Sequence, residues 1–435
     1  MKGERAMTIG AVLIAMVAGA VVSGQTTPAS DTPSCGAPAD SAQPVCGGPG
    51  GPPAGECIVT ADGPVEVPFR VLNNHVLIPV SVNGSAPLEL ILDTGMPVYG
   101  VMLHPGPEVD AIAFDTEGAP MVMVAGAGGD PCRAALNVTL GLPGVEFTGQ
   151  LAIFSPPPGG GCNSESPEGA SGVIGLSVFD NFVVTFDHDR SVLVLTQPDD
   201  FTYAGRGARL PFRLGRPPVP EIDCAIEADG RTVPLTLTVD TGASHNLSIT
   251  LAPDSDIAPP GGARELVVGY SMWGELTGLI GRGGTLRLGG LALNDILVTY
   301  LRKGAPGVPP CGKSGLLGNG ALRRFNVTFD YSRKELILEP NSHTTDPFEF
   351  NMSGMASRRN ADGTYAVSRV FPETPAAEAG VLAGDIIVAV DGRPARDIAT
   401  EELRRLLERD GAAVTLRLGR GPENIDVVLR LRRLV

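Results

Sequence analysis

The stretch Leu90-Ile91-Leu92-Asp93-Thr94-Gly95 and its counterpart Thr238-Val239-Asp240-Thr241-Gly242-Ala243-Ser244 decide the fold of this chain. Each is an apolar run, typical of a β-strand, that ends abruptly at an Asp and then turns on a Gly. A carboxylate at the buried end of a strand is costly unless it is paired or used. Because two related parts of one chain each present such a carboxylate, the two could pair with each other.

The two stretches belong to an internal repeat. Asp93 and Asp240 are 147 residues apart, and Asp187 and Asp330, which end later apolar runs, are 143 apart. An apolar-apolar-Gly motif closes 82 residues after the first Asp and 78 residues after the second. Far shorter periods mark solenoids, so this spacing predicts two homologous domains with pseudo-twofold packing.

Composition predicts a mainly β chain with three folded units. The 435 residues include 57 Gly and 39 Pro with only 5% aromatics, which favours many short strands joined by turns. A hydrophobic content of 43% excludes a disordered chain, and the net charge of −15 argues against a nucleic-acid partner. From Phe348 onward 13 basic and 13 acidic residues balance, which indicates a separate C-terminal module.

The N-terminus is typical of an export signal. Lys2 and Arg5 precede the apolar run Ile9–Val22, which is short for a membrane span of about 20 residues. We expect a signal peptide at residues 1–24 and an exported protein, periplasmic or secreted, that stays membrane-anchored if the signal is not cleaved. Residues 25–63 are rich in Pro, Gly and Ser and are predicted to be a disordered linker that proteases cut first.

Seven cysteines make disulfides possible in an exported chain. Cys132 and Cys162 fall in the first repeat, and Cys224 and Cys311 fall in the second. One bridge in each repeat is attractive, but the spacing does not fix the connectivity.

Paired carboxyls at Asp93 and Asp240 suit peptide hydrolysis without a metal. Two carboxyls about 3 Å apart share one proton, because both cannot be ionised cheaply. The ionised one takes a proton from water while the protonated one hydrogen-bonds the peptide carbonyl. A hydroxyl beside each Asp could bond across the twofold axis, and the Gly that follows lets backbone N–H groups approach. These supporting residues are Thr94, Gly95, Thr241 and Gly242.

These motifs, with Val173-Ile174-Gly175 and Leu316-Leu317-Gly318, resemble the aspartic proteases of the retropepsin and pepsin clan. The likeness is closest to bacterial secreted members that carry a PDZ domain, and it covers roughly residues 65–340. It implies two β-barrel lobes, at residues 64–198 and 199–343, with a cleft between them. It also implies an aspartic endopeptidase in which Asp93 and Asp240 are catalytic and no cofactor is needed. The five histidines lack metal-ligand spacing, so no metal site is predicted.

One departure from that pattern leaves a second interpretation open. The first motif continues Met96-Pro97, where the family usually has a small residue, and Met96 would crowd the carboxyl pair or redirect the loop. The alternative is a catalytically impaired peptide-binding protein of the same fold. A third interpretation is a scaffold in which only the C-terminal module binds partners.

A lid over the cleft is expected in one of two Gly-rich or aromatic segments. The candidates are residues 123–129 in the first repeat, with Gly126 near the tip, and residues 268–273 in the second. Tyr270 and Trp273 of the second segment could wall the substrate groove.

The C-terminal module at residues 346–435 resembles a bacterial PDZ domain. Its likeness rests on residues 375–380, 383–387 and 390–392. The resemblance implies an α+β fold that folds alone and takes the C-terminal end of a peptide as an added strand. The predicted carboxylate-binding loop and the predicted far wall of the groove comprise Ser353, Gly354, Met355, Leu403 and Leu407.

Overall fold

A computed structural model describes residues 55–119, 121–123, 131–154, 169–215, 217–228, 230–251, 255–271, 274–302 and 314–435. The predicted signal peptide and residues 25–54 of the predicted linker lie outside the described residues. At the end of that linker the structure differs from the prediction, since Cys57–Val59 form a strand. Cys57 and Val59 pack against the core, so this short segment contributes apolar contacts that its Pro- and Gly-rich surroundings obscure.

In the first half, a tight hairpin delivers the Asp93 strand. Apolar residues fill the strand His75–Val82, and Asn83 and Gly84 turn with φ of 50° and 75°. The elements of this half are β1 (Cys57–Val59), β2 (Val65–Pro68), β3 (Arg70–Leu72), β4 (His75–Val82), β5 (Leu88–Leu92), β6 (Gly100–Leu103), α1 (Pro107–Asp110), β7 (Val122–Met123), β8 (Pro131–Leu142), β9 (Val145–Phe154), β10 (Gly172–Ile174), α2 (Leu176–Phe179), β11 (Val183–Asp187) and β12 (Val192–Thr196).

Six strands of the first half form a closed β-barrel. The ladders run β9-β6-β10-β5-β4-β8, and β8 pairs back onto β9. Within this barrel β5 and β10 are parallel, whereas β10 and β6 are antiparallel. The strand that ends before Asp93, β5, is hydrogen-bonded to β10 on one side and to β4 on the other.

The second half repeats the relation of the central strands. Its elements are β13 (Ala208–Pro211), β14 (Arg213–Leu214), β15 (Pro220–Ala228), β16 (Arg231–Asp240), β17 (Leu247–Leu251), β18 (Arg264–Ser271), β19 (Gly274–Arg282), β20 (Thr285–Leu288), β21 (Leu291–Asn294), β22 (Leu297–Arg302), β23 (Gly315–Gly318), α3 (Asn319–Leu322), β24 (Phe325–Asp330) and β25 (Glu335–Pro340). Here β16 and β23 are parallel, and β23 and β17 are antiparallel. The described ladders of this sheet run β18-β19-β22-β17-β23-β16-β15-β20-β21.

A third sheet is shared by the two halves. Its order is β13-β25-β24-β11-β12-β2, so that β24 of the second half pairs with β11 of the first. The hydroxyls of Thr185 and Thr328, which face each other across this ladder, are 2.9 Å apart. One large cluster of buried apolar residues runs through both halves. The halves therefore share a hydrogen-bonded sheet and a core.

The C-terminal module has its own sheet and its own apolar core. Its ladders run β26-β27-β28-β30-β31, and β29 pairs with β28. Among the described residues, no helix of the chain is long and apolar enough to cross a membrane. The elements of the module are β26 (Met355–Arg359), β27 (Tyr365–Val370), α4 (Pro375–Glu378), β28 (Ile386–Val390), β29 (Arg393–Pro394), a short 3-10 helix (Ala395–Asp397), α5 (Thr400–Leu407), β30 (Ala413–Arg420) and β31 (Glu423–Arg430).

Candidate functional site

Each candidate Asp lies at the end of a strand that pairs with a parallel neighbour. Ile174 of β10 lies opposite Leu92 of β5, and the Asp93 N–H donates to the Ile174 carbonyl at 2.9 Å. In the second half Gly318 of β23 lies opposite Asp240. The apolar-Gly motif of each half therefore lies beside the strand end that carries the carboxylate.

The carboxyls of Asp93 and Asp240 meet at the junction of the halves and hydrogen-bond each other. Gly95 N–H donates to Asp93 Oδ1 at 2.6 Å, and Gly242 N–H lies 2.8 Å from Asp240 Oδ1 and 3.1 Å from Asp93 Oδ1. A Cβ on Gly242 would lie 2.3 Å from the Asp93 carboxyl carbon, and one on Gly95 would lie 2.9 Å from the Asp240 carboxyl. Glycine is thus required in both loops by close approach.

The pair holds a proton that isolated carboxyls would lose. Burial, the negative charge of Asp240 and the hydrogen bond to it hold the pKa of Asp93 well above its usual range, against the N–H groups of Gly95 and Gly242. Burial also raises the pKa of Asp240, while the hydrogen bond from Asp93 and the N–H groups of Gly242 and Ala243 oppose the rise. The two carboxyls therefore share one proton between them.

Two buried threonines lock the loops to each other. Thr94 Oγ1 donates to the Val239 carbonyl at 2.8 Å and accepts the Thr241 N–H at 3.0 Å. Reciprocally, Thr241 Oγ1 donates to the Leu92 carbonyl at 2.7 Å and accepts the Thr94 N–H at 3.0 Å. This is the bonding across the twofold axis that the sequence predicts.

A carboxyl pair of this kind can accept a proton and donate one at the same time. The ionised carboxyl of the pair can accept from a water or an N–H group, and the protonated carboxyl can donate to a carbonyl oxygen. The rigid loops keep both groups in place without reorganisation. The arrangement is therefore suited to general acid–base chemistry on a carbonyl compound.

Asn319 is a supporting residue that sequence reasoning missed. It is 1% exposed, its Nδ2 donates to the Thr241 carbonyl at 2.8 Å, and its N–H donates to the Ala243 carbonyl at 2.8 Å. Leu176 occupies the corresponding position of the first half. Only its backbone N–H bonds the loop there, by donating to the Met96 carbonyl. The signal was available, because a polar Asn directly follows the apolar Leu316-Leu317-Gly318 run.

Tyr331 is a second residue near the pair that the sequence did not single out. Its ring stacks on Phe179 with centroids 5.5 Å apart and is 7% exposed. Burial, followed by the negative charge of Asp93, raises the pKa of its phenol. The phenol therefore lies close enough to the carboxyl pair for the charge of Asp93 to act on it.

Met96 packs into the core of the first half. It is 6% exposed and belongs to a buried cluster with Val98 and Met102. Its N–H donates to the Asp93 carbonyl at 3.3 Å, which closes the turn after the carboxylate. The loop thus accommodates the large side chain by turning it into the core.

The predicted lid segments are only partly described. Gly126 and Trp273 lie outside the described residues. Tyr270 is part of β18 and pairs with Glu275 of β19, and the ladder shifts register between Val267 and Gly269. Residues 268–271 of the second segment therefore lie at the end of the β18–β19 ladder.

Of the predicted peptide-binding loop, Ser353 and Gly354 precede β26, and Met355 is the first residue of that strand. Ser353 is fully buried, and Gly354 has φ of 70° with Thr374 so close that a Cβ would meet it at 2.2 Å. Leu403 and Leu407 lie on α5 and are each 3% exposed, so they belong to the core of the module. Within the described part of the chain, no cluster of His, Cys, Asp and Glu could hold a metal ion.

Two comparisons with known proteins bear on these sites. The PDZ domain family matches residues 367–420, inside the C-terminal module. A protein of Synechocystis sp. named "Putative serine protease HhoA" is 43% identical over 115 residues, which are 26% of this chain and 25% of that protein. The chain thus spans about a quarter of the length of that relative.

The second comparison contradicts the predicted aspartic-type endopeptidase. The relative is named a serine protease, so the aspartyl-protease and retropepsin-like classes predicted from the two Asp-Thr-Gly motifs are corrected. The prediction of a PDZ domain is confirmed, and so is that of a mainly β chain with a β-barrel. The two motifs led to the wrong protease class because they indicate only that two carboxyls lie close together. The mechanistic class of a protease also depends on which group is the nucleophile.

Proposed function

We propose that this chain is a protease whose PDZ domain binds peptide. The observation that carries the proposal is the similarity to a relative that is itself named a protease. The PDZ match supports peptide binding, because such domains take an extended chain as an added strand. The reaction would be hydrolysis of a peptide bond.

For the position of the reacting peptide we propose the junction of the two halves. Asp93 and Asp240 would contact the bound peptide there. Thr94, Gly95, Thr241 and the other loop residues would hold these carboxyls in place. Support comes from the shared proton and from the double hydrogen bond of Gly242 to both carboxyls.

We further propose that residues 64–198 and 199–343 are duplicated copies of one unit with the fold of an aspartic-protease lobe. The support is topological: in each half the strand before the Asp has a parallel neighbour, and that neighbour has an antiparallel one.

We propose export as the setting in which the protein acts, either periplasmic or secreted. Lys2, Arg5 and the apolar run Ile9–Val22 support a signal segment.

The test is turnover of an unstructured, fluorogenic peptide by the full chain and by Asp93→Asn and Asp240→Asn. The control is Asp187→Asn, which removes a carboxylate from another strand end. Turnover by the wild type supports a protease, and none at any pH overturns it. If both site variants lose about 100-fold or more while the control keeps full rate, Asp93 and Asp240 belong to the site that holds the reacting peptide.

A fluorophosphonate probe, which labels activated serines, accompanies the assay. Labelling with full turnover in both Asn variants would overturn the role proposed for the carboxyl pair. Binding of the peptide without turnover would favour the alternative of a peptide-binding protein.

A further inference from the structure

Two N–H groups of the loop that would bind a peptide carboxylate already have side-chain partners within the loop. Ser353 N–H donates to Asn351 Oδ1 at 2.9 Å, and Met355 N–H donates to Ser353 Oγ at 3.2 Å. Asn351 Nδ2 in turn donates to the Met355 carbonyl at 2.9 Å. The side chains of Asn351 and Ser353 thus occupy positions where a carboxylate would have to bond.

The same end of the groove is closed by a contact between the loop and α5. The Met352 N–H donates to the Leu407 carbonyl, at the last turn of the helix, at 2.8 Å. The four apolar residues around this end share one core cluster and are at most 3% exposed. They are Met352, Met355, Leu403 and Leu407. A terminal side chain would have to displace packed core residues to enter.

The edge of the sheet beside the loop remains suited to an added strand. β26 is the last strand in the described ladder order, and it pairs with β27 alone. A strand added to an edge gains main-chain hydrogen bonds along its length and needs neither a carboxylate site nor a terminal pocket. The edge of β26, with which no other described strand pairs, favours a peptide that adds as a strand. The closed end of the groove disfavours a peptide that ends there with a free carboxylate.

We propose that the PDZ domain of this chain binds an internal, extended stretch of a polypeptide along β26, and not a free C-terminus. The inference rests on the proposed peptide binding and deepens it by naming the ligand class. Asn351 and Ser353 determine the selectivity, because they fill the hydrogen-bonding positions that a carboxylate would use.

The test measures binding of short peptides to the full chain by fluorescence anisotropy. Each peptide of an array is made as the free acid and as the amide, and mass spectrometry verifies that it stays intact. We expect acid and amide to bind equally, within about threefold. An acid preference above about tenfold, the effect of a charge-assisted hydrogen bond, would overturn the inference while leaving peptide binding intact. Binding of neither form would overturn the proposed peptide binding and the inference with it.

A variant with Asn351→Ala and Ser353→Ala tests the two selectivity residues directly. Removal of both side-chain acceptors frees the loop N–H groups, so the ratio of acid to amide affinity should rise at least about fivefold. Asn424→Ala, on β31 at the opposite edge of the sheet, is the matched control and should leave the ratio unchanged. A ratio near one in the double variant would overturn the role given to Asn351 and Ser353.

Discussion

At the scale of single residues, the carboxyl pair makes the free energy of unfolding depend on pH. The pKa of Asp93 is raised in the folded chain, so its stabilising contribution is fully present below the unfolded pKa of about 3.9 and is lost as pH rises through the folded value. Asp93→Asn removes the proton equilibrium. We expect this variant to unfold at a higher temperature than the wild type near pH 7 and at about the same temperature near pH 3.

Differential scanning fluorimetry across this range checks the expectation. Asp187→Asn gives the effect of losing a carboxylate at another strand end. A shift for Asp93→Asn that is equal at both pH values would contradict the raised pKa.

The two loop glycines give a second residue-scale prediction. Gly242→Ala places a Cβ 2.3 Å from the Asp93 carboxyl carbon, and overpacking of this kind costs about 1–3 kcal/mol of unfolding free energy. Gly290→Ala is the control, because no atom lies within 4 Å of its Cβ. The control should change stability by less than about 0.5 kcal/mol in urea titrations. Equal effects of the two variants would show that the loop is not tightly packed.

At the scale of elements, the threonine hydroxyls hold the two loops together. Thr94→Ala leaves the Thr241 N–H and the Val239 carbonyl unpartnered at a buried site, which costs about 1–3 kcal/mol. Thr94→Ser keeps the hydroxyl and should recover most of this loss. Urea denaturation compares the three proteins, and a serine variant as unstable as the alanine variant would refute the hydrogen-bond explanation.

An ion pair in the PDZ module has the opposite dependence on pH. Arg420 hydrogen-bonds Asp385, which is 2% exposed, and lowers its carboxyl pKa. A lowered pKa gives stability that is present above the unfolded pKa and lost as pH falls through the folded value. Arg420→Ala should therefore lower the melting temperature at pH 7 more than near pH 3. Arg417→Ala, whose partner Asp426 is exposed, should have a smaller effect. An equal effect of the two variants at pH 7 would contradict this account.

The elements themselves were largely predictable from sequence. The β4–β5 hairpin and its Asn83-Gly84 turn follow from apolar runs that end in turn residues. The parallel pairing beside each Asp does not follow from these runs alone. Side-chain capping did not follow from the same patterns. Asn351 and Asn319 each bond a loop close in space. A polar residue in Gly-rich sequence marks a candidate supporting residue, but it does not indicate which backbone group the side chain will reach.

At the scale of the whole molecule, Arg324 ties the second half to the PDZ module. It is 2% exposed, its Nη2 donates to the carbonyls of Asp346 and Pro347, and its guanidinium lies 3.6 Å from the centre of the Phe348 ring. Its Nη1 donates to the Gly320 carbonyl. This set of contacts needs a guanidinium, which is planar and carries several N–H donors.

Arg324→Lys keeps the positive charge and loses the fork. We expect limited proteolysis to cut around residues 341–352 several-fold faster in this variant, because the segment loses its anchors. Arg302→Lys, in β22 and exposed, is the control for the substitution itself. If the rate of cutting is unchanged in Arg324→Lys, the packing of Phe348 alone holds this segment in place, and the role given to the guanidinium is wrong.

The sheet shared by the two halves also has a consequence for biosynthesis. β11 emerges from the ribosome about 140 residues before β24, the strand that covers its edge. At roughly 5–20 residues per second, the nascent chain waits on the order of ten seconds with that edge open. During this delay one polysome-bound chain can pair with the same edge of its neighbour, so slower translation of residues 188–324 should increase misassembly of the newly made protein.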